Sequence, residues 1–461
     1  MADAQSDWAA TPVAERVRIL RKARRTLARR SAELVDAMPA ELVRARADSY
    51  VAEVLPLLAA CEFLEREAED ILAPRRLGRE GLPFWLGGLD TLVERVPLGT
   101  VLVIGPANYP LFLAGVQALQ ALAAGNAVVW KPGRGGRAVA EEFAAAMASA
   151  GLPQGLLRVT DESVEDGVRE MARAAKVFFT GSARAGREVL RAAAETATPV
   201  VAELSGCDAV VVLRSADVER VVQALKFGMR LNGSATCMAP RRLVLVGSGH
   251  EVLLERLRVE FAAMPAIAIA GPERVRQLLE DARRDGATVC GDVDGERMKP
   301  LLVLDGNPGM AIAQADVFAP LLTVLRVSNV DAFAVLDEVC PLGLTAAVFG
   351  DEAEARRVGS TLRVGTVMVN DLIVPTADPR VPFGGRRGSG FGVTRGREGL
   401  LEMTAVRTIA VRTSKSIRHY QETGEAHEAM FRGVVAMSHG AGLPERWKGL
   451  RQMVSAALRL R

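Results

Sequence analysis

From residue 99 to residue 203, short apolar runs alternate with alanine- and leucine-rich stretches of helical length. This alternation constrains the chain more than any other feature. The apolar runs lie at 101–104, 127–130, 156–159, 176–179 and 198–202, and helical runs near 111–124, 137–150, 163–174 and 184–196 separate them. A strand without polar positions has no face to give to water, and a helix is the usual connection between parallel neighbours. The expected fold class is α/β, with a doubly wound parallel sheet covered on both faces. A second unit begins after Glu203, with strands near 209–213, 241–247, 300–304, 321–327 and 346–349 and helices near 217–230 and 273–285.

Other segments depart from this pattern. Residues 11–74 read as helices: Thr11-Pro12 is expected to form an N-cap with proline in the first turn, and Val17, Leu20, Leu27 and Leu34 recur near helical spacing. Residues 88–97 and 404–412 alternate apolar with polar, as half-exposed strands do. Beyond residue 413 the composition shifts to polar turns and short amphipathic stretches.

Composition narrows the function classes. A chain of 461 residues is long enough for two or three domains, and its net charge of +3 is small. No basic stripe with interleaved aromatics supports nucleic-acid binding. No run reaches the roughly 18 apolar residues that a membrane helix needs, so no membrane partner is expected. The polar, acidic start has no apolar signal-peptide core behind it. The five cysteines (61, 207, 237, 290, 340) form no CxxC pair and are odd in number, which fits a reducing compartment; the expected location is the cytoplasm. The four histidines are His250, His419, His427 and His439, so most lie near the end of the chain. With no HxxxH or HExxH spacing, no metal site is expected and a zinc hydrolase is excluded on ligand grounds.

Cys237 lies in Asn232-Gly-Ser-Ala-Thr-Cys-Met-Ala-Pro-Arg-Arg242, and Glu203 ends the apolar run Val-Val-Ala-Glu. A thiol paired with a carboxylate suits chemistry in which sulfur holds an acyl group and activated water removes it. A free thiol, with a pKa of about 8.5, needs local help to act at neutral pH. A carboxylate closing an apolar run should have a raised pKa, as a general base requires.

Further segments fall into register with these two: Gly-Pro-Ala-Asn108-Tyr-Pro, Val-Val-Trp-Lys131-Pro, Phe-Phe-Thr180-Gly-Ser182, Asp316-Val-Phe318-Ala-Pro, Val-Asn370-Asp and Pro382-Phe-Gly-Gly-Arg-Arg-Gly-Ser-Gly-Phe-Gly392. In this order and spacing the chain resembles the aldehyde dehydrogenase superfamily from roughly residue 11 to 412. The resemblance implies two doubly wound α/β domains, one Rossmann-like for the cofactor and one catalytic, with a small strand-exchange element for oligomerisation. It divides the chain into a cofactor domain over 1–203 carrying the protruding strand 88–97, a catalytic domain over 204–390, a returning segment and oligomerisation strand over 391–412, and an extension of unassigned role over 413–461. A homodimer or homotetramer is expected.

The resemblance also implies oxidation of a small-molecule aldehyde to a carboxylic acid with NAD or NADP. Cys237 would form a thiohemiacetal and then a thioester, the Asn108 amide and the Cys237 backbone N–H would hold the oxyanion, and Glu203 would activate water. The GxGxxG fingerprint is missing. Lys131 would instead reach the adenosine ribose, Gly181, Ser182 and Gly186 would meet the pyrophosphate, and Asp316 and Phe318 would hold the nicotinamide end. A helix opening at Gly181-Ser182 suits an anion physically. Arg134 stands where many NAD-using members carry an acid, which favours acceptance of a 2′-phosphate. Residues 385–392 would form a structural turn near the substrate mouth.

The departures are Ser234-Ala235 in place of Gly-Gln, Asp316 in place of Glu, Leu-Ser-Gly-Cys-Asp after Glu203, and an abbreviated stretch near 262–272. They mark a divergent branch. Two alternatives stay open: an enzyme passing the acyl group to coenzyme A, and a catalytically weak homologue acting as a binding or scaffold protein.

Overall fold

The computed structural model describes residues 1–42, 44–415, 420 and 422–460; His419 lies outside the described residues. The chain forms two compact units. One comprises residues 1–75 and 93–407, the other 76–92 and 408–461.

The first unit holds two large sheets, as the α/β reading expects. The strands Leu157–Val159, Ala127–Lys131, Thr100–Ile104, Lys176–Thr180 and Val200–Glu203 lie side by side in that order and run parallel, and Gly390–Phe391 adds antiparallel beyond Val200–Glu203. The second sheet runs Thr288–Val289, Leu301–Leu304, Leu321–Val327, Pro240–Val246, Asp208–Val212, Thr345–Phe349 and Thr366–Val369, parallel except at its first strand. Thr288–Val289, Thr366–Val369 and Gly390–Phe391 have no counterpart in the sequence reading; the other strands lie within three residues of their expected positions. The reason is visible in their burial: Asp208–Val212, Pro240–Val246 and Thr345–Phe349 are buried at every residue, so the apolar run and the strand coincide.

Chain order in the first sheet places the functional region. The chain starts at Thr100–Ile104, builds outward through Ala127–Lys131 and Leu157–Val159, then returns to Lys176–Thr180 on the other side. The carboxyl ends of Thr100–Ile104 and Lys176–Thr180 therefore diverge, and such a switch point opens a crevice for a ligand. Behind it, the helix Phe112–Ala123 is buried on nearly all sides, with Gln117 tied to Thr180 and Gln120 to Gly396.

Several elements differ from the sequence reading. Thr11 does not cap the helix that follows: its N–H and hydroxyl both bond the Asp7 carbonyl, closing a helix Ala2–Ala10, and Pro12 precedes Val13–Arg29. The helices Glu251–Ala263, Val330–Val339 and Glu352–Thr361 and the strand Thr366–Val369 are additional. Leu89–Pro97 lies between Arg75–Leu77 and Thr404–Arg412 in a three-stranded sheet, with Thr404–Arg412 largely exposed at its edge. The second unit also contains the helices Glu425–His439 and Leu443–Arg459. No helix among the described residues is long and apolar enough to cross a membrane.

Candidate active site

Glu203 is the last residue of Val200–Glu203, held in register by Gly390 across the sheet. It is 2% exposed, its Oε1 accepts from Cys237 Sγ at 3.5 Å, and its Oε2 has no partner. Burial pushes its carboxyl pKa up, opposed first by the Arg395 guanidinium and then by the bond from Cys237. Cys237 is half-buried on the loop leading into Pro240–Val246. Burial, followed by the carboxylates of Glu203, Asp208 and Asp316, lifts its thiol well above the ordinary range. The resting thiol is thus held neutral against the buried Glu203 carboxyl.

The nucleophile loop is strained and tightly braced. Asn232, Gly233 and Ser234 have φ of 50°, 59° and 62°, a run of left-handed residues two of which carry side chains. Asn232 Nδ2 donates to the carbonyls of Asn108 at 2.9 Å and Ala235 at 3.0 Å. Arg241, 1% exposed, donates through Nη1 to Ser234 Oγ at 2.9 Å and through Nη2 to the Ser234 carbonyl at 2.7 Å. Asn108 Nδ2 also donates to the Ala235 carbonyl at 2.9 Å, which leaves its second N–H for a ligand. Tyr109 and Thr236 share a hydroxyl bond of 2.8 Å.

Below this loop lies a buried ion pair. Glu53, on the π-helical turn Tyr50–Val54, pairs with Arg44 and accepts the N–H groups of Leu111 at 3.1 Å and Phe112 at 2.7 Å. A carboxylate there satisfies donors that the start of a helix leaves unpaired. Arg44 also reaches Asn232 Oδ1 at 3.5 Å and lies over the Tyr109 ring. The support of the Asn108–Tyr109 loop and that of the nucleophile loop therefore share one arginine.

Two cavities share Cys237 and Glu203. The larger, of about 390 Å³, opens at the switch point and brings together Asn108, Gly181, Ser182, Asp316 and Phe318 with that pair. Ser182 Oγ caps the helix Ala183–Ala194 by accepting from Ala185 N at 3.2 Å, and Arg184 and Arg187 are exposed in its opening turns. Gly186 is buried against Leu204, where an added Cβ would lie 2.5 Å from Leu204 Cδ2. Asp316 presents a buried Oδ1 with no partner; burial raises its carboxyl pKa against the pull of Arg241. Lys131, Arg134 and Gly186 do not line this cavity. Lys131 ends its strand half-buried, with its pKa lowered by burial. Arg134 is exposed on the following loop, which Glu162 anchors by accepting from Gly135 and Arg137 N–H. An electropositive helix start and an orphaned acceptor across one cavity fit a ligand with phosphates at one end and hydroxyl donors at the other.

The smaller cavity, of about 120 Å³, is walled by apolar side chains including Phe227, Met238, Ile373 and Phe383, and also by Arg395. Arg395, Arg274 in the larger cavity and the Arg44–Glu53 pair escape the sequence reading. Their burial depends on partners far along the chain, and no local motif marks them. Among the described residues, no group of three or more His, Cys, Asp or Glu could hold a metal ion.

The profile described as "Aldehyde dehydrogenase family" matches residues 1–409. The chain is 31% identical over 412 residues to a 4,4'-diapolycopene aldehyde oxidase of Methylomonas sp, covering 86% of this chain and 77% of that protein. It is 32% identical over 431 residues to a betaine aldehyde dehydrogenase of Cereibacter sphaeroides, covering 89% and 87% respectively. A solved aldehyde dehydrogenase from Brucella melitensis shares the fold, with a TM-score of 0.82 at 23% identity, over 90% of this chain and 88% of that one.

Proposed function

The chain belongs to the aldehyde dehydrogenase family, and from that premise we propose that it oxidises an aldehyde to a carboxylic acid with NAD or NADP, through Cys237 and Glu203. The observation that carries this reading is the Cys237 Sγ–Glu203 Oε1 contact of 3.5 Å on the wall shared by the two cavities.

In this mechanism Glu203 takes the thiol proton as Cys237 Sγ bonds to the carbonyl carbon of the aldehyde. The Cys237 N–H and the remaining Asn108 N–H hold the oxyanion. The nicotinamide, when bound, supplies a hydride acceptor. Once the carbon has lost hydride, it is a thioester on Cys237. Glu203, having returned its proton to solvent, takes one from water; the resulting hydroxide adds to the carbonyl, and the C–S bond breaks to release the acid. Burial suits Glu203 to both roles, because it raises the carboxyl's affinity for the proton it must take.

For the cofactor, the residues offered are Ser182, Gly181 and Gly186 at the helix start, Asp316 and Phe318 across the cavity, and Lys131 on the neighbouring strand. Arg134 favours acceptance of NADP beside NAD. We read 1–203 and 204–390 as cofactor and catalytic halves, and the exposed edge strand Thr404–Arg412 as the element pairing subunits in a homodimer or homotetramer.

The test is aldehyde-dependent formation of reduced nicotinamide by the wild type and by Cys237→Ala, with the product identified. Turnover to free acid that is lost in the variant supports the reading. A coenzyme A thioester as product, or silence of the wild type across an aldehyde panel with both cofactors, overturns it.

A further inference from the structure

We propose that Arg395 anchors a carboxylate of the substrate, so that the preferred aldehydes carry an acid group at their far end. This rests on the oxidative reading above for the reaction, but the anchor is argued from the cavity itself. Arg395 is 4% exposed and lines the apolar cavity that Cys237 and Glu203 also line. Its Nη1 donates to the Thr376 carbonyl at 2.6 Å, while Nε and Nη2 are buried without a partner. Those two nitrogens form one edge of the guanidinium, the fork that grips a planar carboxylate through parallel bonds. The chain uses the same edge elsewhere: Nε and Nη2 of Arg24 take the two oxygens of Glu65 at 2.6 and 3.1 Å, and Nε and Nη2 of Arg380 take Asp378.

The group is held at evident cost. Glu203 attracts it without forming an ion pair, and a buried guanidinium left without a bonded anion is unfavourable. Its backbone, at φ 65° and ψ 168°, sits in a region ordinarily open to glycine alone. The guanidinium is fixed over the ring of Phe383, 4.3 Å from its centroid, and near that of Phe112 at 5.5 Å. A fixed, desolvated donor fork in an apolar cavity matches a ligand with an apolar spacer and a terminal carboxylate. A trimethylammonium aldehyde would face like charge.

The experiment compares kcat/KM for a series of oxo-carboxylic acids of increasing length with those for the corresponding methyl esters. The wild type should prefer an acid by about 10²–10³-fold, because a site built to bond a polar group rejects the analogue that leaves it unpaired. In Arg395→Met the acid-to-ester ratio should collapse toward one, and in Arg395→Lys, which keeps the charge but loses the fork, it should fall at least about tenfold. A wild-type preference for the ester, or a ratio that survives in Arg395→Met, overturns the proposal. So does an equal loss on both substrates with a displaced pH profile, which would mean that Arg395 serves Glu203. A dicarboxylate probe separates this from the oxidation reading. It should raise the melting temperature of wild type and Cys237→Ala but not of Arg395→Lys, whether or not any aldehyde turns over.

Discussion

The side chain of Asn232 donates to the backbone oxygen of Asn108 at 2.9 Å, tying the nucleophile loop to the loop that offers an oxyanion donor, beside the Asn108–Ala235 and Tyr109–Thr236 bonds. The same nitrogen bonds the Ala235 carbonyl at 3.0 Å, and Asn232 sits at φ 50°. Replacing it with alanine removes both bonds from a 2% exposed position and keeps the backbone strain. We expect Asn232→Ala to lose about 2–4 kcal/mol of stability. Its kcat should fall about 10–10²-fold through misplacement of the thiol, with KM for the cofactor little changed. Thermal unfolding and steady-state kinetics check the two effects separately.

Glu203→Gln should slow acylation, for which the thiol can still lose its proton to solvent base, and should slow hydrolysis much more. The carboxamide cannot take a proton from water, so the thioester should persist on Cys237 while steady-state turnover drops about 10²–10⁴-fold. Rapid mixing with aldehyde and cofactor, followed by intact mass measurement, should find the acyl group on the variant. Rapid turnover without its accumulation would remove Glu203 from the hydrolytic step.

The thiol itself carries a pH signature. Burial and the carboxylates of Glu203, Asp208 and Asp316 raise its pKa well above the ordinary value. Alkylation of Cys237 by iodoacetamide in the cofactor-free protein should therefore keep climbing with pH through the alkaline range. Removing the neighbouring charge in Glu203→Gln should move the rise to lower pH. The other cysteines should be silenced by substitution before the rate is read.

Asp208 supplies a stability prediction. It is buried, accepts from Thr345 Oγ1 at 2.6 Å and from Thr345 N at 3.1 Å, and burial raises its carboxyl to about 7. The folded state keeps this proton when the unfolded chain, with a carboxyl near 3.9, has lost it. The contribution is thus fully present below about pH 4 and is lost as pH rises to about 7, a change of roughly 4 kcal/mol. Asp208→Asn should flatten that part of the stability profile, measured by denaturant unfolding across the interval.

The Arg44–Glu53 pair is the fifth target. Both side chains are almost fully buried, at 1% and 0% exposed, so Arg44→Met would leave a carboxylate uncompensated beneath the Asn108–Tyr109 loop. A loss of about 3–5 kcal/mol is expected, read from chemical unfolding. Arg44→Met with Glu53→Leu should recover part of it, since apolar replacement of a whole buried pair is often tolerated.

How much of this was legible in the sequence follows from where the determining contacts lie. The strand Thr345–Phe349 is buried on both faces, so composition alone marks it. Cys237 and Glu203 stand out because their flanks carry short motifs with a known order, and the fold brings them within one bond. The helix Glu251–Ala263 buries Leu253, Leu254, Leu257 and Phe261 at helical spacing, a signal present in the sequence but diluted by apolar residues on its exposed side, such as Val252 and Val259. Arg395 was not legible at all. Its burial is made by Phe112, Thr376 and Phe383, and nothing local distinguishes it from Arg397 two residues on.

The register between Glu203 and Gly390 bears on how this protein could be re-engineered. A Cβ at residue 390 would lie 1.9 Å from the Ala202 carbonyl, and one at 385 would lie 1.9 Å from the Ser389 carbonyl. Backbone occupies the space a side chain would need, so randomising 384–392 would yield mostly misfolded clones. Diversity belongs among the side chains that line the apolar cavity, at Phe227, Met238, Ile373 and Val374, which meet the cavity without pairing with the strand of the base. A library confined to those positions would sample new substrates over an undisturbed thiol and carboxylate.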